Sequence, residues 1–209
     1  MTKKKAINGL YLITPGGPTE KFLPIVAYAL QKGVGTVQYR NKDKAPKEKR
    51  TDLQALMALM PRHALIVNDD IRLAHELGLG VHLGKEDGDI AKARALLGDQ
   101  AIIGASCYND LDKAQHALAT GADYLAFGSV FASPTKTDAV SAPLSIFAKA
   151  KTLSPDTPLV AIGGITPKNA RPVFEAGADA IAVISAVFAA PDPYLAIDQF
   201  LEVIHAISF

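Results

Sequence analysis

The fold is decided by Leu159-Val160-Ala161-Ile162-Gly163-Gly164-Ile165-Thr166, an apolar run that stops at two glycines. Continuous apolar runs are typical of parallel strands that helices cover on both faces. The glycines allow a ligand to approach the backbone, and Pro167 suits the first turn of a helix whose free N–H groups attract an anion. Further on, a second apolar run, Ala180–Ile184, ends at Ser185. Two such strand ends late in a chain indicate the phosphate site of a β/α barrel.

Short β-rich runs alternate with helical patterns along the whole chain. The predicted strands lie near Gly9–Ile13, Thr36–Tyr39, Ala64–Val67, Gly80–Leu83, Ala101–Gly104, Tyr124–Phe127, Leu159–Ile162 and Ala180–Ile184. The predicted helices lie near Thr19–Lys32, Pro46–Met60, Ile71–Leu77, Ile90–Leu97, Leu111–Thr120, Leu144–Leu153, Pro167–Ala176 and Tyr194–Ile207. Eight strand–helix units in strict alternation favour a parallel sheet, and eight strands can close a barrel. We therefore predict an α/β protein that is a single TIM (β/α)8 barrel over residues 1–209.

Composition excludes several classes of function. The 209 residues suit one domain, and 49% apolar residues suffice for a sizeable core. The formal net charge of +1 gives no reason to expect nucleic acid or a membrane as partner. No apolar run reaches the roughly 18 residues that a membrane span needs. The single cysteine, Cys107, fits a reducing cytoplasm and lacks a nearby His partner in the sequence. A homo-oligomer is left open.

Polar residues follow the predicted strands, at the ends that share one mouth of a barrel. In strand order they are Gln38, Arg40 and Lys42; Asn68, Asp69 and Asp70; Lys85, Glu86 and Asp87; Ser106; and Ser133, Thr135 and Lys136. Oxygen ligands without a His/Cys cluster favour a hard cation, most plausibly Mg²⁺. A hard cation beside basic side chains suits a diphosphate, since both neutralise charge that grows as it leaves. With the separate anion site at the glycines, the pattern predicts one diphosphate and one monophosphate ligand.

Some of these residues also have simpler interpretations. Asp70 suits the N-cap of the helix that starts at Ile71, which leaves Asp69 as the ligand. Glu86 and Asp89 suit the start of the next helix, and the basic residues suit a solvated strand end. His82 lies inside a predicted strand, where a satisfied core histidine is commoner than a ligand.

Seven short motifs together resemble thiamine phosphate synthase, in that family's order and from about residue 10 to 187. They are Val-Gln-Tyr-Arg-Asn-Lys (37–42), Val-Asn-Asp-Asp (67–70), Val-His-Leu-Gly-Lys-Glu-Asp (81–87), Gly-Ala-Ser (104–106), Ser-Pro-Thr-Lys (133–136), Ala-Ile-Gly-Gly-Ile (161–165) and Val-Ile-Ser-Ala (183–186). Each motif alone is weak, whereas the ordered set is highly specific. The chain departs from the family pattern at Lys85, where Gln is common, and at Cys107-Tyr108 after the Gly-x-Ser motif.

The resemblance implies an enzyme that joins two small phosphorylated heterocycles. The donor would be 4-amino-2-methyl-5-hydroxymethylpyrimidine diphosphate, the acceptor 4-methyl-5-(2-phosphoethyl)thiazole or its carboxylated form, and the products thiamine phosphate and diphosphate. By resemblance, Asp69 and Asp87 hold Mg²⁺. The residues that match the pyrimidine diphosphate site are Gln38, Arg40, Lys42, Asn68, Ser106 and Lys136. Those that match the thiazole phosphate site are Ser133, Thr135, Gly164 and Ser185. The catalytic set implied is Arg40, Lys42, Ser106 and Lys136.

Three other functions compete with this one. A related thiazole tautomerase shares the barrel and the thiazole phosphate site but has no use for a diphosphate–metal cluster. A phosphosugar isomerase needs an acid and a base that face one substrate, and no convincing pair stands out. A non-catalytic ligand-binding barrel is the third alternative. The combination of two acids with three basic residues favours the synthase.

Overall fold

A computed structural model describes residues 7–84, 88–132 and 141–207, and in them eight parallel strands close into a barrel. Neighbours in sequence are neighbours in the sheet, and the pairing of the first strand with the last closes the ring. The strands are β1 Gly9–Ile13, β2 Thr36–Tyr39, β3 Leu65–Asn68, β4 Gly80–Leu83, β5 Ile103–Tyr108, β6 Tyr124–Phe127, β7 Leu159–Ile162 and β8 Ala180–Val183. The predicted TIM (β/α)8 barrel is thereby confirmed.

Helices connect the strands and cover the barrel. In the described ranges they are α1 Thr19–Gln31, α2 Pro46–Met57, α3 Ile71–Leu77, α4 Ile90–Leu97, α5 Leu111–Ala119, α6 Ser145–Leu153, α7 Arg171–Glu175, α8 Ser185–Phe188 and α9 Pro193–His205, with a 3-10 turn at Arg62–Ala64. Asp70 caps α3 by accepting from the Leu73 N–H at 2.9 Å, and Asp89 caps α4. Both capping predictions are confirmed. No helix in the described ranges is long and apolar enough to span a membrane.

The core has layers on both sides of the sheet. Inside the barrel, an apolar cluster includes Tyr11, Ile66, Tyr124, Val160 and Ala182. Two further clusters fill the space between the strands and the surrounding helices. Because side chains alternate along each strand, residues two positions apart share the barrel interior. On four strands, β2 to β5, the inward positions nearest the carboxyl ends are polar, namely Gln38, Asn68, His82 and Ser106.

Two predicted elements, β5 and α7, differ from the structure by four residues at one end, and seven others differ by one to three residues. β5 runs from Ile103 to Tyr108 rather than from 101 to 104, with an irregularity in pairing between Ser106 and Tyr108. A polar Ser106 in the strand hides this extension, because it faces the barrel interior rather than an apolar layer. The short α8 and the 3-10 turn were not predicted.

The helix predicted to start at Pro167 begins only at Arg171. Asn169 explains the delay, because its side chain accepts from the Thr166 N–H at 2.7 Å and donates to the Gly164 carbonyl at 3.0 Å. Such local side-chain bonds compete with helix formation. The prediction that a helix starts at Pro167 is therefore wrong.

Two aspartates tie the amino ends of neighbouring strands together. Asp179 accepts from the Leu159 N–H and from Lys151 Nζ, both at 2.7 Å. Asp123 makes the equivalent bonds to the Ile103 N–H and to Arg94. In both cases a Gly-Ala-Asp turn enters the next strand. These bonds lie at the end of the barrel opposite the candidate site and are expected to serve stability.

We expect Asp179→Ala to lower the free energy of unfolding by roughly 1–3 kcal/mol, because it leaves a strand N–H and a lysine without their charged partner. Urea unfolding followed by circular dichroism measures this effect. The exposed Asp156 offers a matched control, and Asp156→Ala should leave the urea midpoint unchanged. Equal midpoints for the two variants would contradict the structural role of Asp179.

Candidate active site

The carboxyl ends of β2 and β3 bring the first group of predicted site residues together. Gln38 pairs in register with Ile66, and Asn68 pairs with His82 on β4. Arg40 follows β2 directly, and its N–H donates to the hydroxyl of the fully buried Thr14 at 3.0 Å. The main chain of Arg40 is therefore fixed from β1, independently of its side chain.

Two polar side chains in this region have no partner in the part of the chain that the structure describes. Arg40 is half-buried, yet its guanidinium forms no hydrogen bond or ion pair with the described residues. The half-buried Asn68 likewise shows no side-chain hydrogen bond within those ranges. Partly desolvated polar groups require compensation, and a cation in this position suits an anionic ligand.

Asp69 and Lys42 meet across the gap between two loops. Lys42 Nζ lies 3.3 Å from the Asp69 carboxylate, whose side chain is 26% exposed. Asp69 has a φ of +66°, and its N–H donates to the His82 carbonyl at 2.9 Å. Left-handed backbone outside glycine is uncommon and clusters at functional sites. Asp69, which was predicted to bind metal, therefore has a left-handed backbone conformation at the mouth of the barrel.

A cleft of about 420 Å³ opens beside this ion pair. Its lining includes Lys42, Asn68 and Asp69, which were predicted, together with Lys49 and Arg72, which were not. The two additional cations come from α2 and α3. They were missed because surface helices normally carry such charges, and only the fold shows which of them border the cleft.

A buried aspartate stabilises the loop that carries the basic residues. Asp52 on α2 is 2% exposed and accepts from the Tyr39 hydroxyl at 2.7 Å and from Lys44 Nζ at 2.8 Å. Burial, and then the Asp52 carboxylate, raise the pKa of Tyr39 above its ordinary value, so the phenol stays protonated. Because Tyr39 and Lys44 flank the segment with Arg40 and Lys42, this cluster ties that segment to α2. No motif in the sequence pointed to Asp52.

A chain of hydrogen bonds crosses the barrel interior between two predicted site residues. Gln38 Nε2 donates to Tyr11 Oη at 2.8 Å, and Tyr11 Oη lies 2.9 Å from Tyr124 Oη. Tyr124 Oη lies 2.8 Å from His82 Nδ1, and His82 Nε2 lies 2.9 Å from Ser106 Oγ. Burial raises the pKa of both tyrosines above the ordinary value, so both remain protonated. His82 is therefore a satisfied interior residue, as predicted, but it contacts the site through Ser106.

The carboxyl ends of β7 and β8 are followed by glycines and a serine rather than by charged residues. Gly163 and Gly164 have φ values of +104° and +64°, and a side chain at either would collide with Ser129 or with Phe131 and Ala132. The glycines thus allow close packing of the segment after β6. Ser185 is exposed and begins the four-residue α8, with only Ile184 between it and the end of β8.

The loop after β6 is anchored at the mouth on both sides of its undescribed part. Phe131 donates its N–H to the Gly163 carbonyl at 3.1 Å, and Ala142 donates to the Ser129 carbonyl at 2.9 Å. The predicted site residues that lie outside the described residues are Asp87, Ser133, Thr135 and Lys136. The described residues contain no group of three or more His, Cys, Asp or Glu side chains that could hold a metal. The pairing of Asp69 with Asp87 therefore stays a prediction.

Cys107 is fully buried behind the barrel wall, on the opposite side of β5 from Ser106. Burial raises the pKa of its thiol to about 12, with a smaller contribution from Asp110. A protonated, inaccessible thiol is a poor nucleophile. This agrees with the interpretation that Cys107 has no part in the chemistry.

The chain matches a known protein family over a range that includes these site residues. A family model described as thiamine monophosphate synthase matches residues 10–187 of the chain. The chain belongs to the thiamine monophosphate synthase family. Membership makes it an enzyme of the transferase class and confirms the resemblance that the seven motifs carry.

Individual members of the thiamine monophosphate synthase family match almost the whole chain. The thiamine-phosphate synthase of Methylobacillus flagellatus is 50% identical over 190 residues, which are 89% of this chain and 90% of the relative. That of Thioalkalivibrio sulfidiphilus is 49% identical over 193 residues and covers 90% of both chains. The solved structure of thiamine phosphate pyrophosphorylase from Pyrococcus furiosus is 35% identical, superposes with a TM-score of 0.84 and covers 99% of both chains.

Proposed function

We propose that this chain couples 4-amino-2-methyl-5-hydroxymethylpyrimidine diphosphate with 4-methyl-5-(2-phosphoethyl)thiazole, giving thiamine phosphate and diphosphate. Family membership supports the type of reaction. The observation that carries the proposal is the Lys42–Asp69 ion pair at the carboxyl ends of β2 and β3, two residues along from Arg40, whose guanidinium has no partner among the described residues. This arrangement supplies charge where a diphosphate would leave.

The diphosphate site would use the basic side of the mouth. Arg40 offers a planar fork that matches phosphate oxygens in pairs, and Lys42 adds a point charge. Lys49 and Arg72 line the same cleft and extend its positive field. The Asn68 amide, which has no described protein partner, would add a neutral donor. Lys136 would complete the set.

The described donor set fits Mg²⁺. This ion usually takes one or two carboxylates plus substrate phosphates, and Asp69 supplies one carboxylate at the mouth. Asp69 and Asp87 would hold the ion, which when bound neutralises charge on the diphosphate. In the absence of ligand, Lys42 partly compensates the Asp69 carboxylate, so a bound diphosphate would compete for Lys42.

The chemistry asks the protein for charge stabilisation and positioning. The bond between the methylene carbon and the diphosphate oxygen breaks, and its electron pair leaves with the diphosphate. The aminopyrimidine ring stabilises the resulting cation, and the thiazole nitrogen lone pair forms the new carbon–nitrogen bond. No proton is transferred, so no general base is required, and electrostatics and proximity would carry most of the rate enhancement.

The thiazole phosphate would occupy the side of the mouth formed by Gly164 and Ser185, together with Ser133 and Thr135. Support comes from the positions of Gly164 and Ser185, which lie two residues beyond the ends of the adjacent strands β7 and β8. A thiazole tautomerase would leave Arg40 and the basic cleft without a role, so the synthase is the better proposal.

The test incubates the purified protein with both heterocycles and Mg²⁺, with and without EDTA. We expect thiamine phosphate and diphosphate in equal amounts with Mg²⁺ and neither product with EDTA. Isomerisation of the thiazole phosphate without release of diphosphate would favour the tautomerase instead. Binding of both heterocycles without turnover would favour a non-catalytic barrel.

A further inference from the structure

We propose that Tyr11, Tyr124 and His82 are positioning residues that make Ser106 a hydrogen-bond donor toward the heterocycle of the diphosphate substrate. This inference rests on the proposed function for the identity of that heterocycle. It concerns the direction of the hydrogen bonds in the chain that links Gln38 to Ser106 across the barrel.

The direction follows from counting hydrogens. Gln38 Nε2 donates to Tyr11, and the Tyr11 hydroxyl is buried from solvent, so its own hydrogen finds an acceptor among the described residues only if it is directed to Tyr124. Tyr124 then accepts from Tyr11 and donates to His82 Nδ1. With Nδ1 as acceptor, the hydrogen of a neutral His82 is on Nε2 and is donated to Ser106 Oγ.

Ser106 is the end of this chain. Its oxygen accepts from His82, and its hydroxyl hydrogen has no acceptor among the described residues. At the other end, the side-chain amide nitrogen of Gln38 donates to Tyr11. The side-chain carbonyl oxygen of Gln38 accepts no hydrogen bond from the described residues. The two ends thus offer one donor and one acceptor. An aminopyrimidine complements this pair, because its ring nitrogen accepts and its amino group donates.

The geometry of this chain of hydrogen bonds depends on one strand position that carries no side chain. β5 lies between β4 and β6, so Tyr124 must reach across it to contact His82. Gly104 on β5 allows this, since any side chain there would overlap the Tyr124 ring. The rings of His82 and Tyr124 stack with centroids 5.5 Å apart. Packing therefore fixes the imidazole plane as well as its hydrogen bonds.

The first test measures the His82 tautomer directly. A long-range ¹H–¹⁵N spectrum of the ligand-free protein, with the His82 signals assigned by their loss in His82→Gln, distinguishes protonation at Nε2 from protonation at Nδ1. We expect the Nε2–H tautomer. The Nδ1–H tautomer or an imidazolium would reverse or interrupt the chain and would overturn the proposal. This measurement needs no substrate, so it is decided even if the proposed function fails.

The second test is a double-mutant cycle. Tyr124→Phe removes one hydroxyl from the chain, and we expect kcat/KM for the pyrimidine diphosphate to fall roughly 10-fold, with KM for the thiazole phosphate unchanged. If Tyr124 acts through Ser106, the same substitution in a Ser106→Ala background should cost less than about 2-fold. Tyr28→Phe is the matched control, because the Tyr28 hydroxyl bonds Asp198 outside the barrel at 2.8 Å.

The outcomes separate the inference from the function. An active wild type with equal losses from Tyr124→Phe in both backgrounds would overturn the relay and leave the synthase proposal standing. A wild type that forms no thiamine phosphate would count against the function, while the tautomer spectrum still decides the relay. Should Tyr124→Phe fail to fold, that spectrum of the wild type remains decisive.

Discussion

Arg40→Ala is expected to lower kcat/KM for thiamine phosphate formation by about 10²–10³-fold, the range seen when one preorganised charge-stabilising donor is removed. The guanidinium is half-buried and makes no bond to the described part of the chain, so little folding energy depends on it. The two hydrogen bonds that fix Arg40 to Thr14 use its main chain and survive the substitution. Steady-state kinetics beside a thermal unfolding curve measure both effects.

Two variants control this result. Arg40→Lys keeps the charge but loses the planar fork, so its activity should lie between wild type and Arg40→Ala. Arg50→Ala removes an arginine that pairs with Glu76 on the outer surface, and it should leave kcat/KM unchanged. Wild-type kinetics in Arg40→Ala, with the protein folded, would remove Arg40 from the site.

Asp69→Asn is expected to reduce kcat/KM by roughly 10³-fold and to raise the Mg²⁺ concentration that gives half-maximal activity, since loss of metal-assisted charge stabilisation costs several kcal/mol. Asn tolerates the left-handed backbone of this position, where φ is +66°, so the fold should be preserved. Titration of activity with MgCl₂ measures the shift. Binding of inorganic diphosphate, measured with and without Mg²⁺ by calorimetry, should lose its metal dependence.

Asp70→Asn is the matched control one residue along. Asp70 caps α3, and Asn caps a helix about as well as Asp. Both activity and stability should therefore stay close to wild type. An equal loss in the two variants would indicate a general charge effect at the mouth, and unchanged Mg²⁺ dependence in Asp69→Asn would refute its role as a ligand.

The fold was predictable because local signals agreed with the global architecture. Apolar strand runs, helix periodicity and left-handed glycines such as Gly33 and Gly78 all indicate the same β/α unit. The errors lie where side chains override the pattern. At α7, side-chain hydrogen bonds of Asn169 take the place of the first predicted helical turn. At β5, the strand continues through the polar residue Ser106. Neither effect follows from periodicity, because each depends on one specific hydrogen-bonding group.

Site residues were predictable only where polar side chains lie at the ends of predicted strands. Arg40, Lys42 and Asp69 are polar residues at the ends of apolar runs, so the barrel rule brings them together. Asp52 and the Tyr11–Tyr124 pair carry no such signal. Asp52 lies on a helix face and bonds Tyr39 on the preceding strand, so only the packing of α2 against β2 reveals that contact. Tyr11 and Tyr124 occupy inward strand positions 113 residues apart, and only closure of the barrel brings them together.

Asp123 and Asp179, which precede β6 and β8 and bond the amino ends of β5 and β7, lie at the opposite end of the barrel from the basic mouth. Robustness and chemistry are therefore carried by separate ends of one scaffold. Protein engineering could stabilise the end of the barrel with the amino ends of the strands, for example by optimising the partners of these carboxylates, without disturbing substrate recognition. The same separation would let the loops at the mouth diverge during evolution while the strands stay in register.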